Sequence, residues 1–409
     1  MRSRSLALLA VAALVSLPAT ASAKCGWKID ASPNPSTYNS LKFVAGSSPS
    51  DVWAVGTAQS ASGASSTLAL HWNGKAWTTS ATQNPGISNQ LRGVADVSPT
   101  DAWAVGVQFF SSGGNQGLIE QWTGAAWKVV PSPTKSGEYI YLNAVTAIAA
   151  NDVWAAGGEF TASGVQAPAT MHFNGKTWSI VPIPAVGAYG STLVQIVGTS
   201  PTDAWAIGDS WTSSQHNDFV TLAEHWNGKK WVVVKTPNTT GVDNVFNSGV
   251  ALAPDDVWAI GDYWNGSIFQ TLTEHYNGKA WSIVTSPNSG TFGNGLYAAT
   301  ALSTKAVWAV GQIYGSGGTA KTFGIKWNGA KWLVQKTIDV SGASNDGFNS
   351  IAAIPKSNTV WAVGGTYSLN NATPLNTMTA ADACASADID DQFTTFPGWP
   401  ATRPMRAIR

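Results

Sequence analysis

Apolar residues along this chain fall into short runs, and one run recurs. The string Trp-Ala-(Val/Ile/Ala)-Gly begins at Trp53, Trp103, Trp154, Trp205, Trp258, Trp308 and Trp361. Successive copies stand 50, 51, 51, 53, 50 and 53 residues apart, a period that marks a repeat architecture. The run is continuous rather than alternating, which suits a strand buried on both faces. Gly, Pro, Asn and Ser punctuate the chain every 8 to 12 residues or so, too often for helices. In the first repeat the pattern predicts strand a over about Leu41 to Gly46, b over Val52 to Gly56, c over Thr67 to Trp72 and d from near Ala76. Asn73-Gly74 between c and d is a tight hairpin signal, since both residues tolerate positive φ. It recurs at Asn174, Asn227, Asn277 and Asn328, each followed by Gly.

A second string, aromatic-(Asn/Thr)-Gly-x-x-Trp, ends at Trp77, Trp127, Trp178, Trp231, Trp281 and Trp332 and is missing after Trp361. Its last element stands at the other end of the chain. Trp27 precedes Trp53 by 26 residues, as Trp77 precedes Trp103. The repeat is circularly permuted by one strand. The predicted fold is therefore all-β: a seven-bladed β-propeller of four-stranded antiparallel blades, its last blade closed by the N-terminal strand. An open solenoid would need capping repeats and would not borrow a strand from the far terminus. The two cysteines, Cys25 and Cys384, both fall at the c–d turn of the seventh blade, and a disulfide between them is expected.

Residues 1–23 read as a signal peptide: Arg2 and Arg4, an apolar run, then Ala21-Ser22-Ala23. The run is too short for a bilayer span. The propeller is placed at 24–384 and an irregular tail at 385–409, read as a flexible end, with a partner-binding segment through Phe396 and Trp399 as the alternative. The expected location is secreted, periplasmic or cell-surface, a setting that permits the disulfide. Charged residues make up 11% of the chain, against ~25% in ordinary globular proteins. Without Arg2 and Arg4, 21 basic residues face 23 acidic ones, a balance with no signature of a nucleic-acid partner. No membrane partner or cofactor is indicated, and a monomer is expected.

The strings Asp-Val-Trp-Ala-Val-Gly (from Asp51) and His-Trp-Asn-Gly-Lys-Ala-Trp (from His71) resemble the tryptophan-rich β-propeller repeats of secreted bacterial proteins. Their layout is similar to Asp-box and kelch-type propellers. The resemblance covers about residues 25 to 380 and implies fold rather than activity, since propellers host lectins, glycosidases, lyases, oxidases and scaffolds. One departure matters: the aspartate that an Asp-box places two residues before the hairpin glycine is here Trp72.

Most repeated polar residues read as structural. Asp51, Asp101, Asp152, Asp203 and Asp256 precede strand b, where a carboxylate can accept backbone N–H bonds of the a–b turn. His71, His172, His225 and His275 recur once per blade and so cannot converge on a metal. Trp211 and Trp264 break the pattern, lying just after strand b in adjacent blades. On the face shared by the b–c and d–a loops, Asp209, Trp211, His216, Asp262, Tyr263 and Trp264 are expected to gather, with Glu159 nearby. Aromatic platforms with carboxylates suit sugar rings. The leading expectation is thus a binding propeller that recognises carbohydrate. The alternatives are a protein-interaction scaffold without a small-molecule site and a glycan-cleaving enzyme using Asp209 and Asp262 as acid and base. Between residues 24 and 402 there is a single arginine, Arg92, which argues against a sialidase arginine triad. Serine-nucleophile and phosphate-loop motifs are lacking.

Overall fold

The structure, a computed structural model, describes residues 26–135, 139–213, 218–240, 242–367 and 376–384. Residues 1–25, which hold the expected signal peptide and Cys25, together with His216 and the tail beyond 384, lie outside the described residues. Strands dominate; the one helical turn among the described residues is Ser316–Gly318. No helix among them is long and apolar enough to cross a membrane. Hydrogen bonding sorts the strands into five four-stranded sheets and one eight-stranded sheet. The first sheet sets the pattern, with strands a (Tyr38–Ser48), b (Asp51–Gln59), c (Ser65–Trp72) and d (Trp77–Ser80) in antiparallel order. The eight-stranded sheet is two such sets joined by a single parallel bridge, Ala320 to Asn345. Strand groups therefore number six or seven according to whether that bridge is counted, and the fold is an all-β propeller.

In the last set, strands Asn345–Ala353, Val360–Tyr367 and Asn376–Asp382 are followed at the sheet edge by Trp27–Asp30. That N-terminal strand runs antiparallel to its neighbour, with Trp27 opposite Asp382 and Asp30 opposite Thr379. Beyond it, the Thr377 amide donates to Asn34 Oδ1 at 2.7 Å. The first group also packs on the last: Leu41, Val52, Leu70 and Trp77 share one core with Ile354, Trp361 and Val363.

The repeated tryptophans form the contacts between groups. Trp53 on strand b meets Trp127, on strand d of the next group, edge to face at 4.9 Å between ring centroids. Trp154 and Trp231, Trp205 and Trp281, and Trp258 and Trp332 repeat the arrangement. Trp361 meets Trp77 in the same way at 5.1 Å, and Trp308 meets Trp27 at 5.9 Å. Each pair adds about 0.5–1.5 kcal/mol beyond the area it buries.

Two sequence expectations change. The aspartates before strand b were expected to accept turn amides, but their carboxylates pair with side chains. His71, His172, His225 and His275 place Nε2 2.7–2.8 Å from Asp51, Asp152, Asp203 and Asp256, and Gln121 donates to Asp101 at 2.9 Å. The register explains this: Trp53 lies opposite His71, so the imidazole stacks on the indole at 4.3 Å and reaches the aspartate two positions back on the same face. Strand b is also longer than its apolar run. Trp211 and Trp264 are the final residues of strands Asp203–Trp211 and Asp256–Trp264, not the first residues of the loops that follow.

Candidate functional site

Strand a lines the centre of the ring, and one of its register shifts against strand b recurs at an equivalent position in every group. In the first group, Leu41 pairs with Gly56 and Phe43 with Val55, which leaves Lys42 between them unpaired. The same skip leaves Arg92, Asn143, Val194, Asn247, Tyr297 and Asn349 as the bulged residues of the other groups. A bulge re-aims its side chain, and all seven line a cavity of about 430 Å3 at one mouth of the channel. The glycine that ends each Trp-Ala-x-Gly string permits this. A Cβ on Gly56 would run into the carbonyl oxygen of Ser40, two residues before the bulge, and the same holds for Gly106 against Gln90 and Gly208 against Thr192.

The mouth is polar and carries two cations. Arg92 donates from one terminal nitrogen to Asn143 Oδ1 at 3.1 Å and from the other to Gln90 Oε1 at 3.0 Å. Its guanidinium lies 5.7 Å from the centre of the Tyr141 ring. Lys42 comes from the neighbouring group; burial, and then the charge of Arg92, lower its pKa. Burial lowers the pKa of Arg92 as well. The three bulged asparagines act as bolts between groups. The side-chain amides of Asn143, Asn247 and Asn349 donate to the carbonyls of Leu193, Leu296 and Leu41 at 2.8, 2.9 and 2.7 Å.

The residues singled out from sequence sit behind this wall or farther out. Asp209 is 7% exposed, and burial pushes its carboxyl up to about 7. Asp262 is pushed to about 7 by burial, against the Asn247 side-chain amide that donates to it at 2.8 Å. Trp211 is only 8% exposed, with Phe219 at 5.7 Å between ring centroids and Gly190 close against its six-membered ring. Trp264 is half-buried, 5.1 Å from Phe269, and Tyr263 packs on the core between its own group and the preceding one. Glu159 is buried and ion-paired to Lys135 at 2.7 Å. Phe219 and Phe269 each belong to the same sheet as the tryptophan they meet. Among the described residues no cluster of three His, Cys, Asp or Glu side chains suits a metal ion.

The seven mouth residues were not anticipated, although the sequence holds a signal for them. Each stands 14 residues before its repeat glycine, from Lys42 and Gly56 to Tyr297 and Gly311, and 15 in the last group, Asn349 and Gly364. Without knowledge of the bulge, that interval has no meaning.

Taken together, the strand groups, the inter-group tryptophans and the lined channel define a β-propeller. Comparison with known proteins agrees at the level of fold. No protein-family model and no curated protein matches the chain. Among solved structures, the chain is similar to YCF48 bound to D1 peptide, with 13% identity, a TM-score of 0.52, and coverage of 87% of this chain and 96% of that one. It is likewise similar to YCF48 from Cyanidioschyzon merolae, with 15% identity, a TM-score of 0.50, and coverage of 87% and 98%. Both are β-propeller proteins.

Proposed function

We propose that this chain is a secreted, non-catalytic binding propeller of seven blades, clasped by its N-terminal strand. In this reading it docks a protein or peptide on the face where the b–c and d–a connections gather. The observation that carries it is the distribution of exposed apolar side chains. Tyr38, Ile87, Tyr139, Tyr189, Val242 and Phe292 are 43–64% exposed at strand-a starts or in d–a connections; with Phe160, Val165 and Phe269 beside the b–c connections they make nine of the fourteen exposed large apolar side chains among the described residues, the other five lying on strand d. The polar mouth opens at the same end. Apolar surface concentrated on one face marks an interaction site. Aliphatic Ile87 and Val242 among the aromatics suit the side chains of a protein better than the flat face of a sugar. A propeller of similar fold is described as bound to a peptide, which is compatible with this role.

Selection of a displayed random-peptide library on the full chain tests the reading. Clones enriched on the wild type should bind a Tyr189→Ser/Phe292→Ser variant at least tenfold more weakly. Equal binding by both proteins ends it.

Carbohydrate recognition by the arc from Asp209 to Trp264, with Glu159 and His216, is the second reading. In its favour, the half-buried Trp264 and the exposed Phe269 form an aromatic pair at this same end. A glycan array on wild type and Trp264→Ala separates the two readings.

A further inference from the structure

We infer that the channel mouth is a carboxylate seat, in which Lys42 and Arg92 together hold an Asp or Glu side chain, or a free C-terminus, of the docked segment. The inference rests on the docking face proposed above and states what the partner inserts there.

The two cations occupy the same bulged position in adjacent groups, so both project into one cavity. Neither has an ion pair to a carboxylate among the described residues. Lys42 makes no hydrogen bond there either, and its position is open to the channel. Asp346 lines the adjoining cavity with Lys42, but one of its oxygens accepts the Val340 amide at 2.7 Å and the other is buried without a hydrogen-bond partner. The rest of the mouth is neutral, with Gln90, Thr57 and Ser248 among the asparagines. Two like charges left facing each other in a partly desolvated cavity raise the free energy of the unliganded protein, and a bound anion removes that cost.

Arg92 is also pre-organised. Gln90 and Asn143 hold its two ends, and Tyr141 lies against its guanidinium. A guanidinium has five N–H donors, so most remain for a ligand. Fixing such a side chain before binding lowers the entropy that the ligand must offset. A cavity of about 430 Å3 admits a side chain or a chain end.

Titration calorimetry with short probes at low salt is the test. The probes are Ac-Gly-Glu-Glu-Gly-amide, Ac-Gly-Gln-Gln-Gly with a free C-terminus, the same glutamine peptide amidated, and inorganic phosphate. The acidic or free-ended peptide should bind, weaken as salt is added, and lose about tenfold in affinity in Lys42→Gln, the loss of one charge-assisted contact. Lys42→Arg should retain binding. Lys42→Gln removes a side chain with no structural partner, so the fold is not at stake, whereas Arg92→Gln also disturbs Asn143. Equal affinity in wild type and Lys42→Gln, binding of phosphate alone, or binding of the amidated glutamine peptide as tight as that of the acidic one overturns the seat. Display-selected clones separate the two failures. Clones that need Tyr189 and Phe292 but ignore Lys42 leave the docking face standing and remove the carboxylate seat.

Discussion

The carbonyl oxygen of Ser40 lies against the α-carbon of Gly56, well inside the space that a Cβ there would fill. Ser40 stands two residues before the bulged Lys42, so the glycine and the bulge require each other. Gly56→Ala should push strand a away from strand b and cost about 1–3 kcal/mol. Gly74→Ala, in the exposed c–d hairpin where φ is +87°, tests strain without the bulge. If Gly56→Ala melts like the wild type in urea, the coupling is wrong.

Three carboxyls sit where other groups place apolar residues. Glu120, Glu224 and Glu274 are 0% exposed and occupy the strand-c position held by Leu70 in the first group. Both oxygens of Glu224 and Glu274 lack hydrogen-bond partners among the described residues. Burial pushes these two groups up to about 8 and about 9. The folded chain keeps its protons where the unfolded chain, titrating near 4.5, has released them. Stability is therefore fully present below about pH 4.5 and declines as pH rises to about 8–9, because the folded state binds more protons. Glu224→Gln should melt higher than wild type at pH 9, and the gap should close below pH 5. A gap independent of pH would show that the carboxyl is ionised in the fold.

The N-terminal strand covers Trp308 and Phe348 with the ring of Trp27, at 5.9 and 5.2 Å. A chain beginning after residue 36 should therefore expose this core, lower the melting temperature and bind more of a hydrophobic dye. The amides of Gly26 and Cys384 both donate to Asp382 Oδ1, at 3.4 and 2.9 Å, which brings the neighbour of Cys25 to Cys384. A Cys25–Cys384 disulfide should appear as one cross-linked peptide in a non-reduced digest. Two alkylatable thiols in the folded protein would dismiss it. An unchanged melting temperature after truncation would show that the strand is dispensable.

Much of the fold was legible because the repeat carries its own spacing: the positions of Trp53 and Trp77 set the four-strand unit. Trp27 was recognisable as a displaced strand d by its interval to Trp53. The site was less legible for a geometric reason. Trp211 and Trp264 stand out as extra aromatics, yet whether an indole at a strand end faces solvent or a neighbour depends on details such as Gly190, which no pattern announces. Lys42 and Arg92 fall within unremarkable polar–apolar alternation. They become neighbours only once the chain is curled into a ring and each inner strand gains its extra residue. The pairing of His71 with Asp51 was equally hidden, since it follows from cross-strand register rather than from either residue's own surroundings.

The seven bulges divide into two sorts. At Asn143, Asn247 and Asn349 the side chain is committed to tying its group to the next, and replacement there loosens the circle. At Lys42, Arg92, Val194 and Tyr297 the backbone is already held by the glycine opposite, and no such tie to a neighbouring main chain is made. Substitution at Lys42 or Val194 can thus alter the pore's entrance and leave the wheel that carries it intact, whereas Arg92 is coupled to the tie at Asn143.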